Sequence, residues 1–302
     1  MIDTKNLTKD YGHGRGAFDI TLSVPKGECF GFLGPNGAGK TTVIRHLLGF
    51  SRPQSGTAEI DGKDCYRCAA ELQTRIGYLP GEIALPEGVT GTMFLNSLNK
   101  MRKTKDDGYT KVLLDRFELD PSQDTKRMSL GVKRKLAVVA AFLHDPDILI
   151  LDEPTSGLDP IMQNKFIEFV KEEKQRGKTI FLSSHIFHEV DACCDRIAII
   201  KDGRIVSTFS AEELKQTKEK IFRVTFKDME SFEKFTALSY NFTSKNRGKM
   251  RARVKLTNDK VNGLVAELSR LNVADFVEIP YTLEDYFMSF YEQDHHFAEV
   301  KA

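Results

Sequence analysis

No stretch of this sequence stays apolar for long. The longest apolar run, Leu136 to Leu143, falls far short of the ~20 residues that a membrane-spanning helix requires. The opening Met1-Ile2-Asp3-Thr4-Lys5-Asn6 has no apolar core behind a basic head, so no secretory signal is expected. Charge of one sign is lacking too: 44 Lys and Arg stand against 43 Asp and Glu, a formal +1. That balance argues against a chain whose bulk coats nucleic acid. Cysteine is sparse and odd in number, at positions 29, 65, 68, 193 and 194, which suits reduced thiols in a cytosolic compartment. Cys65 and Cys68 have the spacing of half a zinc site, but no second CxxC follows and the adjacent Cys193 and Cys194 are poorly spaced to chelate. What is left is ordinary globular composition, 40% hydrophobic and 29% charged over 302 residues. Such a chain holds one large or two medium domains and needs no disulfide staples.

The first two hundred residues alternate strand and helix patterns. Phe18, Ile20, Leu22 and Val24 recur at period two, a strand with one buried face. Pro25-Lys26-Gly27 turns into the apolar run Cys29 to Leu33, and a glycine-rich loop leads on to Val43, Ile44, Leu47 and Leu48 at helical spacing, with Gly49 as a stop. Asp61-Gly62 and Asp202-Gly203 read as tight hairpin turns. The segment from Pro86 to His144 reads as mainly helical. Ile148 to Leu151 and Thr179 to Leu182 lack alternation, as central strands buried on both faces do. A break is expected near Ser210, where Ser210-Ala211-Glu212-Glu213 has capping-box form and opens a polar linker helix, 211–220. Beyond it, strands at Ile221 to Phe226, Lys249 to Leu256 and near Phe276 alternate with helices at Glu230 to Leu238 and Asp259 to Leu271, a separate small α+β domain over 221–302.

Gly34-Pro35-Asn36-Gly37-Ala38-Gly39-Lys40-Thr41 fits the GxxxxGK[ST] phosphate loop, with Thr42 beside it, between a strand and a helix. Glycines let backbone N–H groups converge on phosphate oxygens, and the helix N-terminus adds its positive dipole end. Lys40 would reach the β- and γ-phosphates and the Thr41 hydroxyl would bind Mg²⁺. Ile148 to Pro154 delivers two carboxylates at the end of a buried strand, where ligands of open α/β sheets collect. Asp152 suits Mg²⁺ and Glu153 suits polarising the attacking water. His185 closes another buried strand, placed to bond the γ-phosphate.

In order along the chain stand the phosphate loop, Met128-Ser129-Leu130-Gly131-Val132-Lys133, Leu151-Asp152-Glu153-Pro154, Ser156-Gly157-Leu158-Asp159 and His185. This set resembles the ATP-binding subunits of ABC transporters over about Met1 to Ser210. The resemblance implies an α/β fold of the P-loop NTPase cassette type over 1–210: a mixed sheet core, an antiparallel β subdomain and a helical subdomain at about 81–144. It implies an ATPase that dimerises on ATP and Mg²⁺ to drive transport, with export favoured, through separate transmembrane permease subunits on the cytoplasmic face of the membrane. Tyr11 would stack on adenine. Ser129 and Gly131, in an element like the family's LSGGQ signature, would bond the γ-phosphate held by a second ATPase subunit, and Asp159 would lie at the dimer seam. The signature departs from the pattern at Met128, Leu130 and Val132. Where the family usually has a glutamine touching Mg²⁺ stands Gly81, and Glu82 could substitute as an oxygen ligand. Lys133, Arg134 and Lys135 either add charge to the anion site or form a solvated helix face. The C-terminal segment resembles the accessory domain of drug- and antibiotic-exporter subunits, with Leu283 to Phe287 like their terminal motif. Within 245–255, Lys245, Arg247, Lys249, Arg251, Arg253 and Lys255 occupy alternate positions. That reads as one strand with a basic face, either a charge-protected edge or a contact for anionic lipid or an acidic partner. An alternative is a soluble ABC ATPase acting on ribosomes or nucleic acid. Only the basic strand favours it, and no nucleic-acid partner is expected.

Overall fold

The protein is described from a computed structural model at residues 1–102, 108–215, 219–279, 282–288 and 290. Alternation at the N-terminus becomes antiparallel pairing. β1 (Ile2–Asp10) lies against β2 (Gly16–Val24), in which Ile20, Leu22 and Val24 are buried while Asp19, Thr21 and Ser23 face solvent. After β3 (Cys29–Leu33) and α1 (Lys40–Leu47) come β4 (Ser55–Ile60) and β5 (Lys63–Asp64). Asp61 and Gly62 between them have φ of +52° and +74°, the left-handed pair that lets a two-residue turn match strand twist. These strands make one sheet in the order β2-β1-β4-β5.

A short α2 (Ala69–Leu72) leads to β6 (Ile76–Leu79) and then to three helices, α3 (Gly91–Arg102), α4 (Tyr109–Arg116) and α5 (Leu130–Phe142). β7 (Ile148–Asp152), α6 (Pro160–Gln175), β8 (Thr179–Ser184), α7 (Phe187–Cys193), β9 (Arg196–Lys201) and β10 (Arg204–Ser210) complete the second sheet, in the order β10-β9-β3-β8-β7-β6. Only β10 runs against its neighbour. Every residue of β3, β7 and β8 is buried, which explains why these runs lack alternation: both faces are covered. Phe181 lies 5.9 Å from Phe30 and 5.4 Å from Phe32, ring centroid to centroid. The register sets Leu33 beside Ser184 and Ser183 beside Asp152. The loops that follow these three strands therefore leave the sheet side by side.

The chain divides into two compact units, Met1–Ala211 and Glu212–Ala302. α8 (Ala211–Lys215) begins at that boundary. In the second unit β11 (Glu219–Phe226), α9 (Met229–Thr236), β12 (Asn241–Asn246), β13 (Arg251–Thr257), a 3₁₀ turn at Asn258–Lys260, α10 (Val261–Leu268) and β14 (Val273–Ile279) follow in order. This is a split β-α-β-β-α-β unit with strand order β12-β13-β11-β14. Phe222, Val224 and Phe226 of β11 meet Phe232 and Phe235 of α9 and Leu264 and Leu268 of α10 in one core.

Three expectations change. The linker helix does not run through 211–220: α8 is described over Ala211–Lys215, and Glu219 and Lys220 already pair with Thr257 and Leu256 of β13. Ladder hydrogen bonds there outweigh the weak helical preference of a polar segment. The basic residues of 245–255 are not on one strand. Lys245 belongs to β12, Arg247 and Lys249 to the turn, and only Arg251, Arg253 and Lys255 to β13. The sequence alternation crosses a hairpin whose turn ends at Met250, φ +45°, and the pairing sets Lys245 opposite Ala252. Nor is β13 an edge strand, since β12 and β11 flank it.

Phe235 is wholly buried, with ring centroids 5.2 Å from Phe226 and 5.4 Å from Phe242. Phe235→Ala should lower the unfolding free energy of the second unit by about 3–5 kcal/mol, read from its urea midpoint; an unmoved midpoint would show that this cluster is not the unit's core.

Candidate functional site

The loop after β3 is held by glycines at close approaches. A Cβ on Gly34 would lie 2.5 Å from the Ile200 carbonyl oxygen, and one on Gly39, at φ +102°, would lie 2.4 Å from that of Gly16. Gly34 N–H donates to the Ser184 carbonyl at 3.2 Å, which ties the loop to β8. Ala38 is buried beneath the loop, its N–H on the Pro35 carbonyl at 3.2 Å. α1 starts at Lys40 with no side-chain cap and no acid in its first turn, leaving its N-terminal N–H groups for an anion.

Lys40 is only 5% exposed. Its ammonium donates to the carbonyls of Gly34 at 2.6 Å and Pro35 at 3.2 Å and pairs with Glu153 Oε1 at 2.9 Å. Two of its three protons are held by carbonyls, and Glu153 Oε1, at ion-pair distance, is buried with no hydrogen-bond partner among the described residues. The other oxygen of Glu153, Oε2, meets His185 Nδ1 at 2.6 Å. Thr41 Oγ1 donates to Asp152 Oδ2 at 2.9 Å, and the Ser183 hydroxyl donates to Asp152 Oδ1. Burial pushes the Asp152 pKa up, against the two hydroxyls and Lys40. Glu153 has φ +47°, a left-handed backbone that costs a non-glycine residue of order 1 kcal/mol and collects at functional sites.

A cavity of about 220 Å³ runs along the loop, lined by Tyr11, Arg15, Gly16, Pro35, Asn36, Gly37, Gly39, Lys40, Thr41, Thr42 and Glu153. A second of about 730 Å³ shares Asn36, Thr41 and Glu153 with it and adds Arg45, Tyr78, Pro80, Gly81, Glu82, Asp152, Ser156 and His185. The fold thus brings together Tyr11, the phosphate loop, both carboxylates, His185 and Glu82. It does not bring Ser129, Gly131 or Asp159 to either cavity. Ser129 instead caps α5, accepting from Val132 N–H at 3.3 Å, and Asp159 caps α6, accepting from Met162 N–H at 3.0 Å. Thr41 and Asp152 offer adjacent hard oxygens for a divalent cation. Among the described residues no cluster of three or more His, Cys, Asp or Glu could hold a metal. Such an ion would take its remaining ligands from phosphate and water, as Mg²⁺ does.

Sequence reasoning missed several groups. Arg15 and Arg45 line the cavities, and Ser183 orients Asp152. Arg134 is not part of a solvated face. It is 2% exposed, and its spacing to Val138 and Ala141, both buried on α5, was the available signal. Glu189 on α7 is also buried. Its carboxyl accepts from the Thr155 hydroxyl and from Ser184 Oγ at 2.5 Å. Thr155 lies two residues beyond Glu153, and Ser184 directly precedes His185. Burial raises the Glu189 pKa to about 7, helped by the Glu153 charge and opposed mainly by the Ser184 hydroxyl.

The family described as ABC transporter matches residues 17–156. The bacitracin transport ATP-binding protein BcrA of Enterococcus faecalis is 32% identical over 296 residues, 95% of each chain. The Nod factor export ATP-binding protein I of Burkholderia orbicola (strain AU 1054) is 35% identical over 211 residues, 68% of this chain and 69% of that one. Among solved structures, one described as the ATP binding subunit of an ABC transporter superposes with a TM-score of 0.66 at 29% identity, covering 72% of this chain and 92% of the other.

Glu189 carries a proton in the folded chain over the range between its ordinary value of 4.5 and about 7, where the unfolded chain has released it. Its stabilisation is therefore full at acid pH and lost as pH rises through about 7. Glu189→Gln removes this dependence, so the melting temperature of the variant minus that of the parent should become more positive from pH 5.5 to pH 8. A constant difference over that range would contradict a raised pKa at Glu189.

Proposed function

From the premise that this chain belongs to the ABC transporter family, as an ATP-binding and ATP-hydrolysing subunit, we propose the following division of labour at its site. The phosphate loop, Gly34 to Thr42, binds the triphosphate through backbone N–H groups and the α1 N-terminus. Tyr11 stacks on the adenine from the wall of the smaller cavity, which Arg15, bonded to it through the main chain, also lines. Thr41 and Asp152 hold Mg²⁺, which supplies charge neutralisation on the phosphates, and Glu82 lines the same cavity as a further oxygen. Glu153 takes the proton of the attacking water and His185 bonds the γ-phosphate.

The observation that carries this reading is the chain of contacts Lys40–Glu153–His185. With two carbonyls on its ammonium and the Glu153 carboxylate as its counter-charge, Lys40 turns to a phosphate by exchanging that ion pair. Releasing Glu153 also frees an oxygen of the base. Nucleotide arrival and base activation are thereby one exchange of ion pairs.

Ser129 and Gly131 lie outside both cavities, which supports a role in a second copy's site: two ATPase subunits, alike or different, close on ATP, each completing the other's triphosphate pocket, with Asp159 at the seam. No helix among the described residues is long and apolar enough to cross a membrane. Transport, in the export direction of a relative's name, runs through separate transmembrane permease subunits. The chain works at the cytoplasmic face, with the helices of 81–144 as the part that engages the permease. Residues 212–302 serve as an accessory domain. Contact with anionic lipid is narrowed to Arg251, Arg253 and Lys255 on β13. No nucleic-acid partner is proposed.

Two variants test the site. Glu153→Gln should cut ATP hydrolysis by ~10²–10⁴-fold and tighten ATP binding, because Lys40 loses its competing carboxylate; turnover at the parental rate would remove Glu153 from the role of base. Lys40→Ala should weaken ATP binding at least tenfold, about 1.4 kcal/mol, measured by calorimetry, and an unchanged dissociation constant would reject the phosphate-loop assignment.

A further inference from the structure

Of the buried charged groups, the reaction outlined above leaves Arg134 without a task. It sits on α5, one turn beyond the Ser129 cap, and its guanidinium makes three hydrogen bonds to main-chain carbonyls. Nη1 donates to Pro80 at 2.8 Å, Nη2 to Gly81 at 2.6 Å and Nε to Ser156 at 2.8 Å. Pro80, Gly81 and Ser156 all line the larger cavity with Asp152, Glu153 and His185. Pro80 and Gly81 follow β6 and lead towards the helical segment. Ser156 lies in the turn after Glu153, its N–H on the Glu153 carbonyl at 3.2 Å.

Gly81 has no side chain, and its backbone lies directly on Asp152. A Cβ there would be 3.3 Å from Asp152 Oδ2. Whatever the 80–81 segment transmits to the carboxylates therefore passes through its main chain, and Arg134 fixes that main chain. Burial lowers the arginine's pKa, while Asp152, Glu153 and Glu189 nearby favour its charged form. The planar fork of guanidinium donors spans two backbone segments at once, which a lysine ammonium on its flexible stem cannot do.

We propose that Arg134 is a positioning residue. It locks the helix that carries Ser129 and Gly131 to the two backbone segments bordering Asp152 and Glu153, so that a shift of α5 is passed directly to the metal-binding and base carboxylates. The proposal rests on the functional reading above for the roles of those carboxylates and of Ser129. Arg134 acts through its three carbonyls and touches no reacting atom.

The test uses the full-length chain and compares Arg134→Lys, Arg134→Met and the double variant Arg134→Lys with Gly81→Gln. ATP affinity should stay within about threefold of the parent, a difference of about 0.6 kcal/mol. In both single variants kcat should fall at least thirtyfold with KM little changed, because the retained charge of lysine cannot replace the fork. Gly81→Gln should not restore it. Parental kcat in a folded Arg134→Lys chain, or equal losses in affinity and kcat, overturns the proposal. If the variants do not fold, hydrogen exchange on the parent chain decides. On adding Mg²⁺ and a non-hydrolysable ATP analogue, protection at Gly81 and Glu82 should rise together with that at Leu130 to Val132. A change in one segment without the other overturns it. Failure here leaves the Glu153→Gln and Lys40→Ala results standing, whereas failure of those removes the functional reading itself.

Discussion

Parallel pairing of β3, β8 and β7 brings Gly34, His185 and the Asp152–Glu153 pair out of the sheet at neighbouring positions, and every contact of the site follows from that register. Ser184 stands beside Leu33 and Ser183 beside Asp152. From there the Ser183 hydroxyl reaches Asp152, the Ser184 carbonyl receives the Gly34 N–H, and Ser184 Oγ bonds Glu189. A slip of one residue in either pairing would turn these side chains to the opposite face. The buried phenylalanines of β3 and β8 hold the register, because their rings pack on one another in a core with no room for an alternative.

Within that frame the opposite charges of Lys40 and Glu153 pair before any ligand arrives, while Glu153 Oε1 is left without a hydrogen bond. Lys40 and Glu153 are both largely buried, with side-chain exposures of 6% and 16%, and removing one partner of such a pair strands a charge at a cost of several kcal/mol. A polyanion that takes over the lysine leaves the glutamate to water and His185. The left-handed backbone of Glu153 keeps its carboxylate in reach of both neighbours. The same economy of contacts recurs one layer back, where Glu189 serves the residues next to Glu153 and His185, and Arg134 serves the segments next to Asp152 and Glu153.

The phosphate loop and both carboxylates were legible in the sequence because each is fixed by a local requirement: glycine at close backbone approaches, apolar residues along strands covered on both faces. What was hidden depends on partners distant in sequence. β12, Asn241–Asn246, is polar apart from Phe242 and becomes a strand through pairing with β13. The alternating basic residues imitate one strand in the sequence, but the hairpin sets Lys245 opposite Ala252 and Arg251 opposite Asn246. Arg134 stands between Lys133 and Lys135 and looks like a solvated triplet, yet its acceptors lie 22, 53 and 54 residues away. The buried Glu189 accepts from the hydroxyl of Thr155, 34 residues earlier, a contact that no local pattern reports.

The central claim is that a triphosphate displaces Glu153 from Lys40, so that binding and activation of the base are one event. A crystal structure of the parent chain with Mg²⁺ and a non-hydrolysable ATP analogue tests it directly. Lys40 Nζ should lie on a phosphate oxygen with the Glu153 carboxylate more than about 4 Å away, beyond ion-pair range. Nucleotide seated on the phosphate loop with Lys40 still bonded to Glu153 would contradict the account.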